Sequence, residues 1–418
     1  MNRSPDQVKG VAPRTQRGRK LLYVITSLYR GGAESLVVEL ATRAKTNGWT
    51  VGVVSMLEPE AYEADLRAAG VEVTSLGMRR GVPDPRGLAR LAQVYRTFRP
   101  DVVHAHMVHA NILARAARLL SPVPLLVSTA HNISEGGRMH YLLYRFTDWL
   151  SEFTTNVSHA AVQRYIELGA MRPGKSGYVP NGVSLERFAR SDDARRRLRA
   201  ELGAGNEFVW LTVGRITEQK DYPNLFRALV AGSSGSRLWL VGDGELRAQC
   251  EALVTELGLQ GRVSFLGLRS DVSDLMSAAD GFVLGSAWEG LPMVLLEAAA
   301  SELPAVATDV GGVSEIVRPG IGYLVPPRDP QALGQAMRAV ESTTVAERAA
   351  MGRGAREAVI ETFDITRVVG RWEGLFELGL AAGVGRRRRR ASRIDPQALD
   401  HALGNGASAA AQTGVSTA

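Results

Sequence analysis

Short apolar runs alternate with longer stretches of helical periodicity along most of this chain. Runs of strand length lie at 21–26, 50–56, 71–76, 102–104, 125–128 and 153–156, and helical patterns fill 33–47, 60–69, 87–98, 109–119, 138–150 and 159–168. Strand, helix, strand at this spacing predicts a parallel sheet covered on both faces. The rhythm breaks at the turn-forming Tyr178-Val179-Pro180-Asn181-Gly182-Val183, which a charged stretch over 190–201 follows. A second series then begins, with strands at 208–213, 237–241, 263–265, 281–284, 305–308 and 322–325. Helices are expected between them at about 223–231, 244–258, 271–278, 292–300, 312–317 and 330–340. A final helical stretch, about 364–380, carries Trp372 and Phe376.

This pattern predicts an α/β chain of two Rossmann-like domains facing across a cleft. The first spans 20–183 and the second 184–363. The helix at 364–380 is a candidate to return to the first domain, which composition alone does not decide. The polar segment 1–19 and the Gly/Ala/Arg-rich tail 381–418 are expected to be disordered. A length of 418 residues suits two domains, and 45% hydrophobic residues suffice for two cores. In open α/β sheets ligands bind outside the carboxyl ends of the strands, so the cleft is the expected site.

Charge and cysteine content narrow the setting. The net charge is +7, part of it from the five consecutive arginines at 386–390 and Arg393. A solvated basic tail is the plain reading, and attraction to an anionic membrane surface the sharper one. Nucleic acid is not the expected partner, because no aromatic platform or reading helix accompanies the run. The one cysteine, Cys250, has no internal partner for a disulfide, in keeping with a cytoplasmic setting. No run of 18 or more apolar residues occurs, and the five-residue run after Lys20 is too short for a signal peptide.

The most informative segment is Ser286-Ala287-Trp288-Glu289-Gly290-Leu291-Pro292-Met293-Val294-Leu295-Leu296-Glu297. Glu289 falls in the turn after an apolar strand and Glu297 inside the following helix, eight residues on. Pro292 suits the first turn of that helix, where its missing N–H is needed least. A start near Pro292 puts Glu297 roughly 7 Å along the axis, at about 1.5 Å per residue. The free N–H groups of the first turn form an anion site, and carboxylates accept from hydroxyls. A phosphate between two polyols describes a nucleotide sugar. Arg215 and Lys220 leave the carboxyl end of the strand 208–213, where both can converge on a diphosphate. Gly31-Gly32-Ala33-Glu34 and Gly242-Asp243-Gly244 have the same strand–turn–helix setting, but neither is the dinucleotide fingerprint. His104, His106 and His109 crowd together without a carboxylate or cysteine cluster, so no metal site is expected. His131, at a strand's carboxyl edge beside Asn132, is placed to donate to a sugar hydroxyl or phosphate oxygen.

At these residues the chain resembles the retaining glycosyltransferases of family 4, which have the GT-B fold. The motifs are Gly31-Gly32-Ala33-Glu34, His104-Ala105-His106, His131-Asn132, Pro180-Asn181-Gly182-Val183, Gly214-Arg215 with Lys220, Gly242-Asp243-Gly244, Glu289 through Glu297, and Gly311-Gly312. They cover about residues 21–375. The resemblance implies a first domain for the acceptor and a second for a nucleotide-diphosphate sugar. Arg215 and Lys220 would hold the diphosphate, Glu289 the sugar hydroxyls and Glu297 the ribose. Gly290, Leu291 and Pro292 would line the donor, Gly32 would leave room at the diphosphate, and His131 would face the transferred sugar. His131, Glu289, Arg215 and Lys220 would form the catalytic set. No cofactor or bound metal is implied; the nucleotide sugar is a substrate.

The implied reaction is hexosyl transfer with retention to a glycan or lipid-linked acceptor in bacterial surface polysaccharide synthesis. The expected location is cytoplasmic, with the inner face of the plasma membrane as a peripheral site. The alternatives are a nucleotide-sugar epimerase of similar fold and a non-catalytic nucleotide-sugar-binding protein.

Overall fold

The computed structural model describes residues 18–82, 84–133, 137–232 and 235–383. Residues 1–17 and 384–418, which hold most of the two segments expected to be disordered and the whole arginine run, lie outside the described residues.

Among the described residues thirteen strands form two sheets. The first half runs β1 (Lys20–Ile25), α1 (Gly32–Thr46), β2 (Thr50–Leu57), α2 (Glu63–Ala68), β3 (Glu72–Met78), α3 (Arg86–Phe98), β4 (Val102–His106), α4 (Val108–Leu120), β5 (Leu125–Ala130), α5 (Arg138–Thr147) with a 3-10 turn Asp148–Leu150, β6 (Phe153–Asn156), α6 (His159–Glu167) and β7 (Ser176–Tyr178). The second half runs α7 (Asp192–Glu201), β8 (Val209–Val213), α8 (Tyr222–Ala231), β9 (Arg237–Val241), α9 (Arg247–Glu256), β10 (Val263–Gly267), α10 (Val272–Ala278), β11 (Gly281–Leu284), α11 (Met293–Ala300), β12 (Ala305–Thr308), α12 (Val313–Ile316), β13 (Gly322–Val325), α13 (Pro330–Glu341), α14 (Val345–Thr362) and α15 (Ile365–Gly383).

The first sheet has the order β3-β2-β1-β4-β5-β6-β7 and the second β10-β9-β8-β11-β12-β13. The pairings are parallel throughout both sheets. Period-two alternation sorts β1 between two cores. Leu21, Tyr23 and Ile25 join α1 and α15, while Leu22 and Val24 join α3 and α4. In the second sheet Leu211 and Phe282 face α11 and α14, and Trp210 and Val283 face α8 and α13. Each sheet reverses its strand order once, at β1/β4 and at β8/β11. Such switch points are where crevices open in doubly wound sheets.

Four elements differ from the sequence expectation. β7, three residues long, pairs at the sheet edge with β6 and is too short to show alternation. The charged stretch 190–201 contains α7, which buries only Ala194 and Leu198 and is capped by the Ser191 hydroxyl. α14 was not expected, because its buried positions are small or widely spaced: Gly352, Ala355 and Val359. Pro292 stands at the N-cap of α11, one position before the first turn, with extended backbone.

The chain crosses between the two sheets twice, and the crossings run side by side. Val183 N–H donates to the Phe363 carbonyl at 2.8 Å, and Ile365 N–H donates to the Val183 carbonyl at 3.1 Å. α15 then packs on the first sheet, with Trp372 and Phe376 in the same core as Tyr23 and Trp49. A Cβ on Gly182 would lie 2.8 Å from the Ile365 Cα, so the crossing needs glycine there. Among the described residues no helix is long and apolar enough to cross a membrane.

Candidate active site

The two switch points face each other across a cavity of about 1300 Å³. The loop after β1 supplies Ser27 and Gly31, and the first turn of α1 supplies Gly32 and Glu34. His109 of α4 and His131 with Asn132, after β5, line the same side. The loop after β8 brings Arg215 and Lys220, and the loop after β11 brings Glu289, Gly290, Leu291 and Pro292, with Glu297 on α11. All nine residues expected at the site therefore border one cavity. They reach it because parallel strands deliver every following loop to the same sheet edge.

Glu289 is buried and fully engaged. Its Oε1 accepts from Lys220 Nζ at 2.6 Å and from Ser286 Oγ at 2.7 Å, and its Oε2 accepts from Gln219 Nε2 at 3.2 Å. Gln219 also donates to the Trp288 carbonyl, and its own carbonyl accepts from Ala287 N–H. The β8 and β11 loops are thus stitched together below the carboxylate. Sequence reasoning missed the parts played by Gln219 and Ser286; the serine three residues before Glu289 is the sole local signal, and a weak one.

Glu297 is half-buried one and a half turns into α11. Burial pushes its carboxyl up to about 7, partly offset by the Arg187 charge. Glu34 is buried opposite, accepting from Ser27 Oγ at 3.0 Å. Burial raises its carboxyl above the usual range, against the opposing pull of its own backbone N–H, the Ser27 hydroxyl and the Arg215 charge. Arg215 is exposed on the rim of the cavity, and its charge reaches Glu34 of the first domain.

His104, His106 and His131 lie buried together, His131 at the cavity wall. His106 Nδ1 lies 2.9 Å from His131 Nε2, and His104 Nε2 lies 2.8 Å from Thr129 Oγ1, which continues to Thr155 Oγ1 at 2.8 Å. Burial lowers His131 to about 4 and holds His104 and His106 well below the usual imidazole range, so all three are neutral at pH 7. His106 therefore orients His131, a part the sequence did not reveal. Among the described residues no group of three His, Cys, Asp or Glu side chains is arranged to hold a metal.

Backbone contacts fix the distance across the cleft. A Cβ on Gly290 would meet the His131 carbonyl at 2.1 Å and Asn132 Cα at 3.0 Å. Asn181, in the first crossing, donates from Nδ2 to the Leu291 carbonyl at 3.2 Å. Gly32 faces Met293, the first residue of α11, with 3.0 Å from its would-be Cβ to the Met293 Cγ. The site can bind an anion beside Arg215 and the α11 terminus, and hydroxyls beside Glu289 and Glu297, with His131 opposite.

Comparison with known proteins agrees with this geometry. Residues 30–187 match the family profile described as Glycosyltransferase Family 4, and residues 194–358 the profile described as Glycosyl transferases group 1. The putative glycosyltransferase EpsD of Bacillus subtilis is 31% identical over 299 residues, which covers 67% of this chain and 77% of that protein. The UDP-Gal:alpha-D-GlcNAc-diphosphoundecaprenol alpha-1,3-galactosyltransferase of Escherichia coli is 27% identical over 310 residues, covering 71% of this chain and 80% of its own. The crystal structure of Anabaena HepE in complex with UDP-glucose superposes with a TM-score of 0.77 at 24% identity, covering 86% of this chain and 99% of HepE. Two switch points facing across one cavity, both family profiles in chain order and a relative of this similarity lead to one conclusion: the chain belongs to glycosyltransferase family 4 and is a glycosyltransferase of GT-B fold.

Proposed function

We propose that the chain transfers a hexose, with retention, from a nucleoside-diphosphate sugar to a lipid-linked glycan acceptor during bacterial surface polysaccharide synthesis. The observation that carries this reading is the Lys220–Glu289 pair at the β8/β11 switch point, next to Arg215 and facing His131. A uridine nucleotide is the first donor class to test, because HepE was crystallised with UDP-glucose and the Escherichia coli relative is named for UDP-Gal. The diphosphoundecaprenol in the latter name favours a polyprenyl-diphosphate acceptor. Such an acceptor would bring the enzyme to the cytoplasmic face of the membrane.

In the mechanism we infer, the bond between the anomeric carbon and the β-phosphate oxygen breaks, and negative charge grows on the leaving diphosphate. Arg215, Lys220 and the N–H groups opening α11 stabilise that charge, which is where preorganised donors act most strongly. The acceptor hydroxyl attacks the same face of the sugar, and its proton passes to the departing phosphate oxygen. Neutral His131 holds the sugar from the acceptor side. Glu289 positions sugar hydroxyls, and Glu297 binds the ribose.

Thermal stabilisation by a panel of UDP-, GDP- and ADP-sugars tests the donor assignment, since a ligand that binds only the folded state raises its stability. One base class should raise the melting temperature in the wild type. Arg215→Ala and Lys220→Ala should bind that donor weakly and lose transfer by on the order of 10²–10³. Lys220→Ala also leaves Glu289 facing the diphosphate without its cation. Full turnover by either folded variant would sink the assignment.

A further inference from the structure

The outer face of α5 is apolar where a solvent-facing helix is ordinarily polar. Its inner face is well held. Tyr144 is buried, its hydroxyl accepts from Asn111 Nδ2 at 2.7 Å, and its carbonyl accepts from Arg115 Nη1 at 3.2 Å. The opposite face presents Met139, Leu142, Leu143 and Phe146, and the turn after it presents Trp149; Met139, Phe146 and Trp149 are 65, 69 and 63% exposed. The spacing 139, 142/143, 146, 149 is that of one helical stripe. Arg118 of α4 donates to the Leu150 carbonyl at 2.8 Å, which brings the end of α4, with exposed Leu119 and Leu120, to the Trp149 end of the stripe.

Charge decides what this face fits. Arg138 and Arg145 are exposed on α5 itself. The single carboxylate of 138–150, Asp148, is buried and lies 3.4 Å from Arg172 Nε and 3.7 Å from Lys175 Nζ. The exposed surface of the segment is therefore apolar and cationic only. An interfacial helix has this composition, with Phe, Leu and Trp on one side and arginine beside them.

The placement relative to the cleft is specific. The first turn of α5 meets α4 through His140, whose ring lies 5.5 Å from that of His109, and His109 lines the cavity. The stripe thus starts at the cavity mouth and runs away from it along the first domain.

We propose that the outer face of α5 and its following turn is a docking surface for an anionic lipid bilayer, which sets the acceptor side of the cleft against the membrane. This deepens the acceptor reading above and rests on it for its purpose, but vesicle binding is measured without turnover, so either can fail alone.

The test is co-sedimentation of the full chain with phosphatidylcholine vesicles, with and without phosphatidylglycerol. The wild type should bind the anionic vesicles, and more weakly as salt rises, because charge is screened over a Debye length of about 8 Å at physiological ionic strength. Phe146→Glu with Trp149→Glu should lower that binding at least about tenfold, while transfer to a soluble acceptor stays unchanged. Phe146→Leu with Trp149→Leu should keep most of the binding. The proposal is overturned if the glutamate variant binds like the wild type, as it would if the arginine tail alone carried the attraction. It is equally overturned if the wild type ignores vesicles, or if it instead forms a dimer in sedimentation that the glutamate variant cannot.

Discussion

Glu289 accepts three side-chain hydrogen bonds before any substrate arrives, one of them from the very lysine proposed to hold the donor diphosphate. An ion pair this buried keeps both groups compatible with a partly desolvated site, and loss of either partner leaves an uncompensated charge. In the proposed site, donor binding would then exchange partners around Lys220 instead of introducing a bare cation. Glu297 makes a separate, titratable claim. Its carboxyl is pushed up to about 7 by burial, and ribose hydroxyls donate best to the ionised form. Nucleoside diphosphate affinity should therefore rise as pH increases through about 7. Glu297→Gln should bind more weakly at pH 8 and lose that dependence, while any titration of the ligand's own phosphate persists in both proteins. Calorimetry across pH that found parallel profiles would remove Glu297 from the ribose. The sequence made Arg215, Lys220, Glu289 and Glu297 visible because charges at strand ends break an apolar pattern. Gln219, Ser286, Asn181 and His106 left no such mark, since an amide, a hydroxyl or a buried imidazole gains its meaning only from what folds against it.

At the scale of elements, long parallel strands were legible because both faces are buried and the runs are continuously apolar. The missed elements share the opposite property. β7 is a three-residue edge, α7 buries two side chains, and α14 packs through small residues, with a Cβ on Gly352 2.0 Å from the Glu302 carbonyl. The β11–α11 loop carries the same kind of constraint into function. Gly290 touches the His131 carbonyl and Asn132 Cα of the other domain, so a methyl group there meets backbone that cannot swing aside. Gly290→Ala should hold the two loops apart and lower transfer by on the order of 10², the scale of an ångström-sized misplacement. Binding of free nucleoside diphosphate, which rests on second-domain groups, should change far less. Loss of nucleotide binding equal to the loss of transfer would show that Gly290 serves the donor pocket and not the cross-cleft distance.

The whole molecule joins two sheets by two adjacent crossings, Val179–Val183 and Phe363–Ile365, tied by reciprocal backbone hydrogen bonds. That arrangement leaves the opposing loops free to meet across the cavity while α15 anchors the chain's last helix on the first sheet. The paired-domain pattern was readable from the two strand–helix series. The return of α15 was not, because Trp372 and Phe376 find their partners, Tyr23, Trp49 and His104, more than two hundred residues earlier. In the proposed mechanism Arg215, Lys220 and backbone N–H groups carry the leaving diphosphate while the acceptor attacks from its side. Proton NMR of the first-formed product, from a reaction run with a metal chelator present, tests it most directly. Transfer should be undiminished and the product's anomeric configuration identical to the donor's; an inverted product, or transfer abolished by the chelator and restored by metal, would rule that mechanism out.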